Sequence, residues 1–473
     1  LKSSDLSNVT SAGQASWTRY LARDLFCGWT TPFTWTLLRS PAEAALRSVY
    51  GELGSAPVSF REPFWRSDDG IVRLNAALVS QADQMLAGAV WLGRVQPPAP
   101  GGLLARLQAG SITKRCQDRI ATVADDVLNL QARLSRWLTS VKALRWTQAD
   151  LLQIMEELEP HALAALQTYF LARMGLNAAH AQLQARLTEW TPGCPPHIRA
   201  SLYLGVDGLP SVIAAEAVND AARRLAAGPE RESTLAHYSH RGPGELRPDG
   251  WRWGEALELL AHLAELGDED WRPDGAAERR RAALADLRSR LDGGRSQQIE
   301  VLLQQVHASM RAADSAWDAL TMVMAAAQHW VAAAAGEAMA AGLVELPGDV
   351  LYLELEELKQ VATGEWHAGR SAGVADAVEA RKRAQVAVSP ASSAGPQVVV
   401  CPGECDGPRY YGSPRQTLPP AKAVWLEESP DPGCAPFWQH ACAVLATGDD
   451  IWAPGMIVAR GLGVPARVGA DLT

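Results

Sequence analysis

Apolar positions recur at spacings of three and four from about residue 103 to residue 341, which predicts a largely helical body. The clearest run follows Thr147, which stands three residues before Asp150 as a helix cap does. Leu151, Met155, Leu158, Ala162 and Leu166 then share one face. The same periodicity predicts helices over 211–226, 254–266 and 276–291, and a long helix or a broken pair over 297–343. Ahead of this body, residues 15–25 read as a helix. Ser40-Pro41-Ala42-Glu43 has the form of a capping box with Pro at the first helical position, predicting a helix from Pro41 to about Tyr50. The Pro/Gly cluster at 97–102 predicts a loop.

The pattern changes near the C-terminus. Residues 379–383 read as the end of a helix, and 387–396 as a Ser/Pro/Ala linker. Val398-Val399-Val400 and Ala423-Val424-Trp425-Leu426 are short apolar runs that predict buried strands. A helix from about Pro436, a strand near Val444 and a helix around Met456 follow. The predicted fold class is mainly α. A large helical ligand-binding domain spans 1–386, and a small, trimmed α/β domain spans 397–473. A chain of 473 residues is too long for one core, which agrees with this division.

Composition narrows the function. The net charge is −9 and the basic residues are scattered, which argues against nucleic acid as a partner. No uninterrupted apolar run reaches about 18 residues and no stretch reads as a secretory signal, so the expectation is a cytoplasmic chain that does not enter membranes. A first residue of Leu rather than Met is the expectation of a longer parent chain. The seven cysteines, Cys27, Cys116, Cys194, Cys401, Cys405, Cys434 and Cys442, are odd in number and irregularly spaced, which predicts reduced thiols. Cys401-x-x-x-Cys405 lacks a second close pair at zinc spacing, so no metal is expected. Seventeen tryptophans outnumber Tyr and Phe together; they suit either an aromatic-lined pocket or a GC-rich genome.

Several segments resemble one known family. Met456-Ile457-Val458-Ala459-Arg460-Gly461-Leu462-Gly463-Val464-Pro465 resembles the end of the phosphohistidine signature of phosphoenolpyruvate-utilising enzymes, the group of phosphoenolpyruvate synthase and rifamycin phosphotransferase. Thr31-Pro32-Phe33-Thr34-Trp35-Thr36 is similar to the element that opens the central domain of the rifamycin type, and 70–75 to a short segment that follows it. The stretch 236–246, AHYSHRGPGEL, resembles a loop of the same domain, with Ser239 where glycine is usual. Leu346 to Leu358 resembles a family segment made of a short strand and a helix, and 431–437 a family turn.

The resemblance implies a central helical domain for a bulky, apolar, polyketide-like substrate, followed by a swivelling domain. It supplies no counterpart of the ATP-binding domain. Laid over the signature, the glycine pair falls on Asp449 and Asp450, and the phosphoryl-carrying histidine on Pro454. Proline has no nucleophile, so phosphotransfer through this position is lost. His440, fourteen positions earlier, reads as a packing residue, as do His307 and His329. The implied function is ATP-independent, cofactor-free acid–base chemistry in natural-product biosynthesis: dehydration, cyclisation or isomerisation. Two alternatives stay open. One is a non-catalytic binding or resistance protein; the other is one subunit of a split phosphotransferase, with a separate protein partner.

Candidate catalytic residues are Asp449, Asp450, His240, Arg241 and Glu245. Adjacent carboxylates disfavour double ionisation, so Asp449 or Asp450 could stay protonated and act as an acid, or the pair could simply cap a helix. His240 could exchange protons while Arg241 holds an anion, or Arg241 and Glu245 could only order their loop. Trp35, Tyr238 and Trp452 are the candidate substrate-binding aromatics. Asp125-Asp126 and Asn219-Asp220 lack the spacing of metal–diphosphate sites and read as solvated helix faces.

Overall fold

The computed structural model describes residues 17–26, 28–55, 61–98, 103–223, 228–266, 275–364, 371–386, 397–403, 406–411, 414 and 417–470. In chain order the elements are β1 (Trp17–Thr18), α1 (Ala22–Leu25), α2 (Pro32–Leu53), β2 (Trp65–Asp68), β3 (Ile71–Asn75), α3 (Ala76–Met85), α4 (Leu103–Ala121), α5 (Val123–Lys142) and α6 (Gln148–Trp190). Then come α7 (Pro196–Ser201), α8 (Pro210–Arg223), α9 (Pro229–His237), α10 (Leu257–Leu266), α11 (Ala276–Ser289), α12 (Gly293–Ala340), α13 (Leu355–Ala362) and α14 (Ser371–Val386). The C-terminal segment holds β4 (Val398–Cys401), β5 (Arg409–Tyr411), β6 (Val424–Glu427), α15 (Ala435–Trp438), β7 (Ala443–Ala446), α16 (Pro454–Leu462) and β8 (Ala466–Val468). The chain is mainly α with a small α/β region at its C-terminal end.

Two helices organise the body. α6 has 43 residues and α12 has 48, so each spans roughly 65–72 Å. α6 starts at the sequence-predicted cap: the Thr147 side chain accepts from the Asp150 amide and Asp150 reaches back to the Thr147 amide. α12 is one unbroken helix, and every residue from Ala313 to Ala327 is buried. α5 and α6 pack against it, and α2 packs on α6. Its central stretch is apolar enough to cross a membrane, but 72% of that window is buried inside the protein, so packing accounts for the apolarity.

Three local expectations fail. The helix expected over 15–25 is not found among its described residues, 17–25: Trp17–Thr18 pairs antiparallel with β3, and Ala22–Leu25 alone is helical there. The helix expected at Pro41 begins at Pro32, where the Thr31 hydroxyl caps the Thr34 amide and Pro32 takes the first helical position. Pro41 lies inside it, and Ser40 and Glu43 are spent elsewhere: Ser40 donates to Glu159, and Glu43 accepts from the Phe64 amide. Two Thr/Ser-Pro signals stand nine residues apart, and local pattern cannot choose between them. The strand expected in 346–358 is a 3-10 turn over Pro347–Tyr352 ahead of α13. The linker at 387–396 lies outside the described residues.

The C-terminal sheet has the order β4-β8-β7-β6-β5, parallel except for β4, which runs antiparallel to β8. Its apolar core is not its own. Trp425, Phe437, Trp438, Met456 and Val458 form one cluster with Leu204, Val218, Trp253, Leu259 and Leu263 of the helical body. Many tryptophans are core: Trp65, Trp253, Trp330, Trp425 and Trp438 are fully buried. Cys442 is disulfide-bonded, against the expectation of reduced thiols throughout, while Cys116, Cys194, Cys401 and Cys434 are buried thiols outside any disulfide.

Backbone contact is closest where the turn at 431–434 meets the 240–245 loop. A Cβ on Gly433 would lie 1.9 Å from the Gly242 carbonyl oxygen, so no side chain fits. Gly433→Ala is therefore expected to cost on the order of 3 kcal/mol or more in denaturant unfolding. By contrast Gly336, inside α12, has nothing within 4 Å of a built Cβ. Gly336→Ala is expected to stabilise by roughly 0.5–1 kcal/mol.

Candidate functional site: two buried polar clusters

The first cluster gathers around α12. Asp314 and Asp318, one helical turn apart, point from the buried stretch of α12 towards the 240–245 loop and the start of α8. Arg241 spends every donor group. Nε donates to Glu245 Oε2 at 2.7 Å, Nη1 to Asp318 Oδ1 at 2.9 Å, and Nη2 to the Ser211 hydroxyl at 2.9 Å and Glu245 Oε1 at 3.2 Å. The Ser211 hydroxyl and amide both donate to Asp314, and Trp317 Nε1 donates to Glu245 at 2.5 Å. His240 Nε2 lies 2.9 Å from Asp318 Oδ1. Burial lowers the His240 pKa. Burial alone would raise Asp318, but His240 and Arg241 outweigh it and hold the group well below the usual carboxylate range. Burial raises Glu245 to about 7 despite its paired Arg241. This cluster is buried and leaves no nitrogen of Arg241 unpaired, and the loop it ties down carries Gly244, whose amide donates to Asp431 in the C-terminal segment.

The second cluster lies where the C-terminal segment meets α6 and the N-terminal turn. Arg173 is fully buried in α6, and its Nη2 donates to Asp450 Oδ2 at 2.5 Å. The other Asp450 oxygen caps the Trp452 amide at 2.9 Å. Asp449 pairs instead with Arg94. The two adjacent carboxylates therefore turn to separate cationic partners. The carboxyl with a raised pKa in this region is Asp24. Burial and then the Asp450 charge push it up to about 7. Ser429 donates to Asp24 Oδ1 at 2.7 Å, while Asp24 Oδ2 is buried without a partner. Tyr20 and Tyr169 stand beside it; burial raises both hydroxyls above the ordinary range, so they stay protonated.

Unlike the first, this cluster is unsaturated. Arg173 Nε and Nη1, Tyr169 Oη, Trp452 Nε1 and Arg460 Nε are all buried without a hydrogen-bond partner. Each such group costs roughly 1–3 kcal/mol. Arg460, on α16, donates Nη1 to the Ile451 carbonyl and stacks over the Trp452 ring, with its guanidinium carbon 4.0 Å from the ring centroid. His180 and Tyr203 pack edge-on against the same ring.

The other sequence candidates sit apart. Trp35 is half-buried against Phe26, and Tyr238 is half-buried against His237; Trp452 alone adjoins the unsaturated cluster. Pro454 is buried at the first position of α16. His440 hydrogen-bonds Asn219, and His307 the Leu202 carbonyl, as packing residues do. Two surface grooves, of about 510 and 320 Å³, lie among α2, α4, α5 and α6, and none of the candidates lines either. Among the described residues no three His, Cys, Asp or Glu side chains gather as metal ligands. Pattern reading missed Asp24, Tyr20, Tyr169, Arg173, Arg460 and Asp318. A signal existed for three of them: Arg173 inside the apolar run 169–178, Asp318 inside the Ala-rich stretch of α12, and Arg460 inside 456–462. No protein-family model matches the chain, and no curated protein is significantly similar to it.

Two outcomes test the electrostatics. Asp450→Ala leaves Arg173 uncompensated in the interior and is expected to cost roughly 3–5 kcal/mol in denaturant unfolding. Asp24 titrates near 4 when unfolded and about 7 when folded. Between those values the folded state holds a proton the unfolded state has lost, so this group's contribution falls as pH rises from about 4 to about 7. Asp24→Asn removes that loss. Its Tm relative to wild type is expected to be more favourable at pH 8 than at pH 5; an equal difference at both pH values would contradict the assignment.

Proposed function

We propose that this chain is an ATP-independent acid–base enzyme acting on a bulky, apolar, polyketide-like molecule. We read it as built on the frame of the phosphoenolpyruvate-utilising enzymes, with their phosphoryl carrier replaced by Pro454. The observation that carries the reading is Asp24: an enclosed carboxyl with one oxygen unpartnered and a pKa of about 7, set among Tyr20, Tyr169 and Arg173. Such an acid is partly protonated at neutral pH and can give its proton to a substrate hydroxyl or alkene.

For a dehydration, Asp24 would protonate the leaving hydroxyl, the C–O bond would break and water would depart. The Asp24 carboxylate would then take a proton from the adjacent carbon, so the acid is regenerated. Arg173 would favour the carboxylate form during the cycle, and the two protonated tyrosines could orient substrate oxygens. In this reading His240, Arg241 and Glu245 position the loop and the C-terminal segment and do not meet the substrate. Asp449 and Asp450 dock that segment onto the helices.

A second reading, a protein that sequesters such a molecule, draws support from the enclosure of the cluster: Asp24, Arg173, Arg460 and Trp452 are all under 7% exposed. Incubation with a panel of ansamycins and linear polyketides, without nucleotide, separates the two when followed by mass spectrometry. The enzyme reading expects an isomer or a product lighter by one water, and Asp24→Asn is expected to lower its rate by 100-fold or more. Binding without turnover would favour sequestration. Acid-labile label on the protein from radiolabelled ATP or phosphoenolpyruvate would overturn both.

A further inference from the structure

Arg460 is fully buried, and among the described residues no carboxylate lies within ion-pair distance of it. Its contacts are a backbone carbonyl and two aromatic faces, those of Trp452 and Tyr203. Burial lowers its pKa only to about 10, so it keeps its charge at neutral pH. Arg173 supplies a second buried guanidinium, of which only Nη2 is paired. The unpartnered atoms here are mostly donors: Arg460 Nε, Arg173 Nε and Nη1, Trp452 Nε1 and the Tyr169 hydroxyl. Asp450 offsets one of the two positive charges.

We infer that this donor-rich cluster is an anion subsite that takes a carboxylate of the ligand, held between Arg460 and Arg173 with Trp452 Nε1 as a further donor. Planar guanidinium groups suit a planar carboxylate, and the missing acceptors are what such a group brings. The inference deepens the reading above: the acted-on molecule is an acid, with its carboxylate anchored near Asp24. Arg241 shows the contrast, since the chain itself supplies an acceptor to each of its three guanidinium nitrogens.

Benzoate and acetate serve as probes, with benzamide and acetamide as neutral controls, in calorimetric titration of the intact chain at pH 7.5. Benzoate is expected to bind at least 10-fold more tightly than benzamide. Arg460→Gln is expected to abolish that preference. Trp452→Phe, which keeps an aromatic face and removes one donor, is expected to weaken benzoate several-fold in a chain that still unfolds cooperatively. Equal binding of acid and amide, or of benzoate to wild type and both variants, would overturn the inference; if Arg460→Gln does not fold, Trp452→Phe decides. Turnover of a neutral polyketide with no benzoate preference would sink the subsite and leave the enzyme reading standing. A benzoate preference without turnover of any panel member would do the reverse.

Discussion

A charged guanidinium in the middle of a 43-residue helix is the constraint on which the rest depends. Arg173 sits in a stretch of α6 that is buried on all sides, where an unpaired charge would cost several kcal/mol. Its counterion, Asp450, comes from 277 positions further along the chain. Asp450 is itself fixed by capping the Trp452 amide at the approach to α16. Among the described residues, the ion-pair partner of this charge in the helical body comes from the docked C-terminal segment. The same carboxylate acts on Asp24, whose proton it helps to retain. One ion pair thus joins the two regions, and its acidic member reinforces the burial that keeps the Asp24 proton while Arg173 opposes it.

The two buried clusters differ in completeness more than in residue type. Each nitrogen of Arg241 meets a protein acceptor, and the loop, α8 and α12 are stapled together. Such a network rigidifies the interior but has nothing left to offer a ligand. Around Arg173 and Arg460 the donors outnumber the acceptors. A region that retains unspent hydrogen-bonding capacity at the meeting of two structural units is where chemistry can be accommodated.

Much of the architecture was legible because it is local. Helical periodicity located α6, α8, α10, α11 and α12, and the Thr147–Asp150 cap marked the start of α6 to the residue. Short apolar runs located β4, β6 and β7. Local signals failed where two competed, as at Pro32 and Pro41, or where pairing with a distant strand took over, as at Trp17–Thr18. The candidate site was only half legible. Asp450 and Trp452 were found through their neighbourhood in sequence, whereas Asp24 and Arg173 gain their meaning from contacts hundreds of positions apart. A lone Arg within Tyr169-Phe170-Leu171-Ala172-Arg173-Met174 shows that a counterion must exist, but not where it lies.

The shared core also bears on how the chain is made. Leu204, Val218 and Leu259 close against Trp425, Phe437 and Met456, which leave the ribosome roughly 200 residues later. At roughly 5–20 residues per second, that gap leaves greasy helix faces uncovered for tens of seconds. The nascent polypeptide in that interval is a natural client for holding chaperones, and premature termination before the final sheet would yield an aggregation-prone fragment.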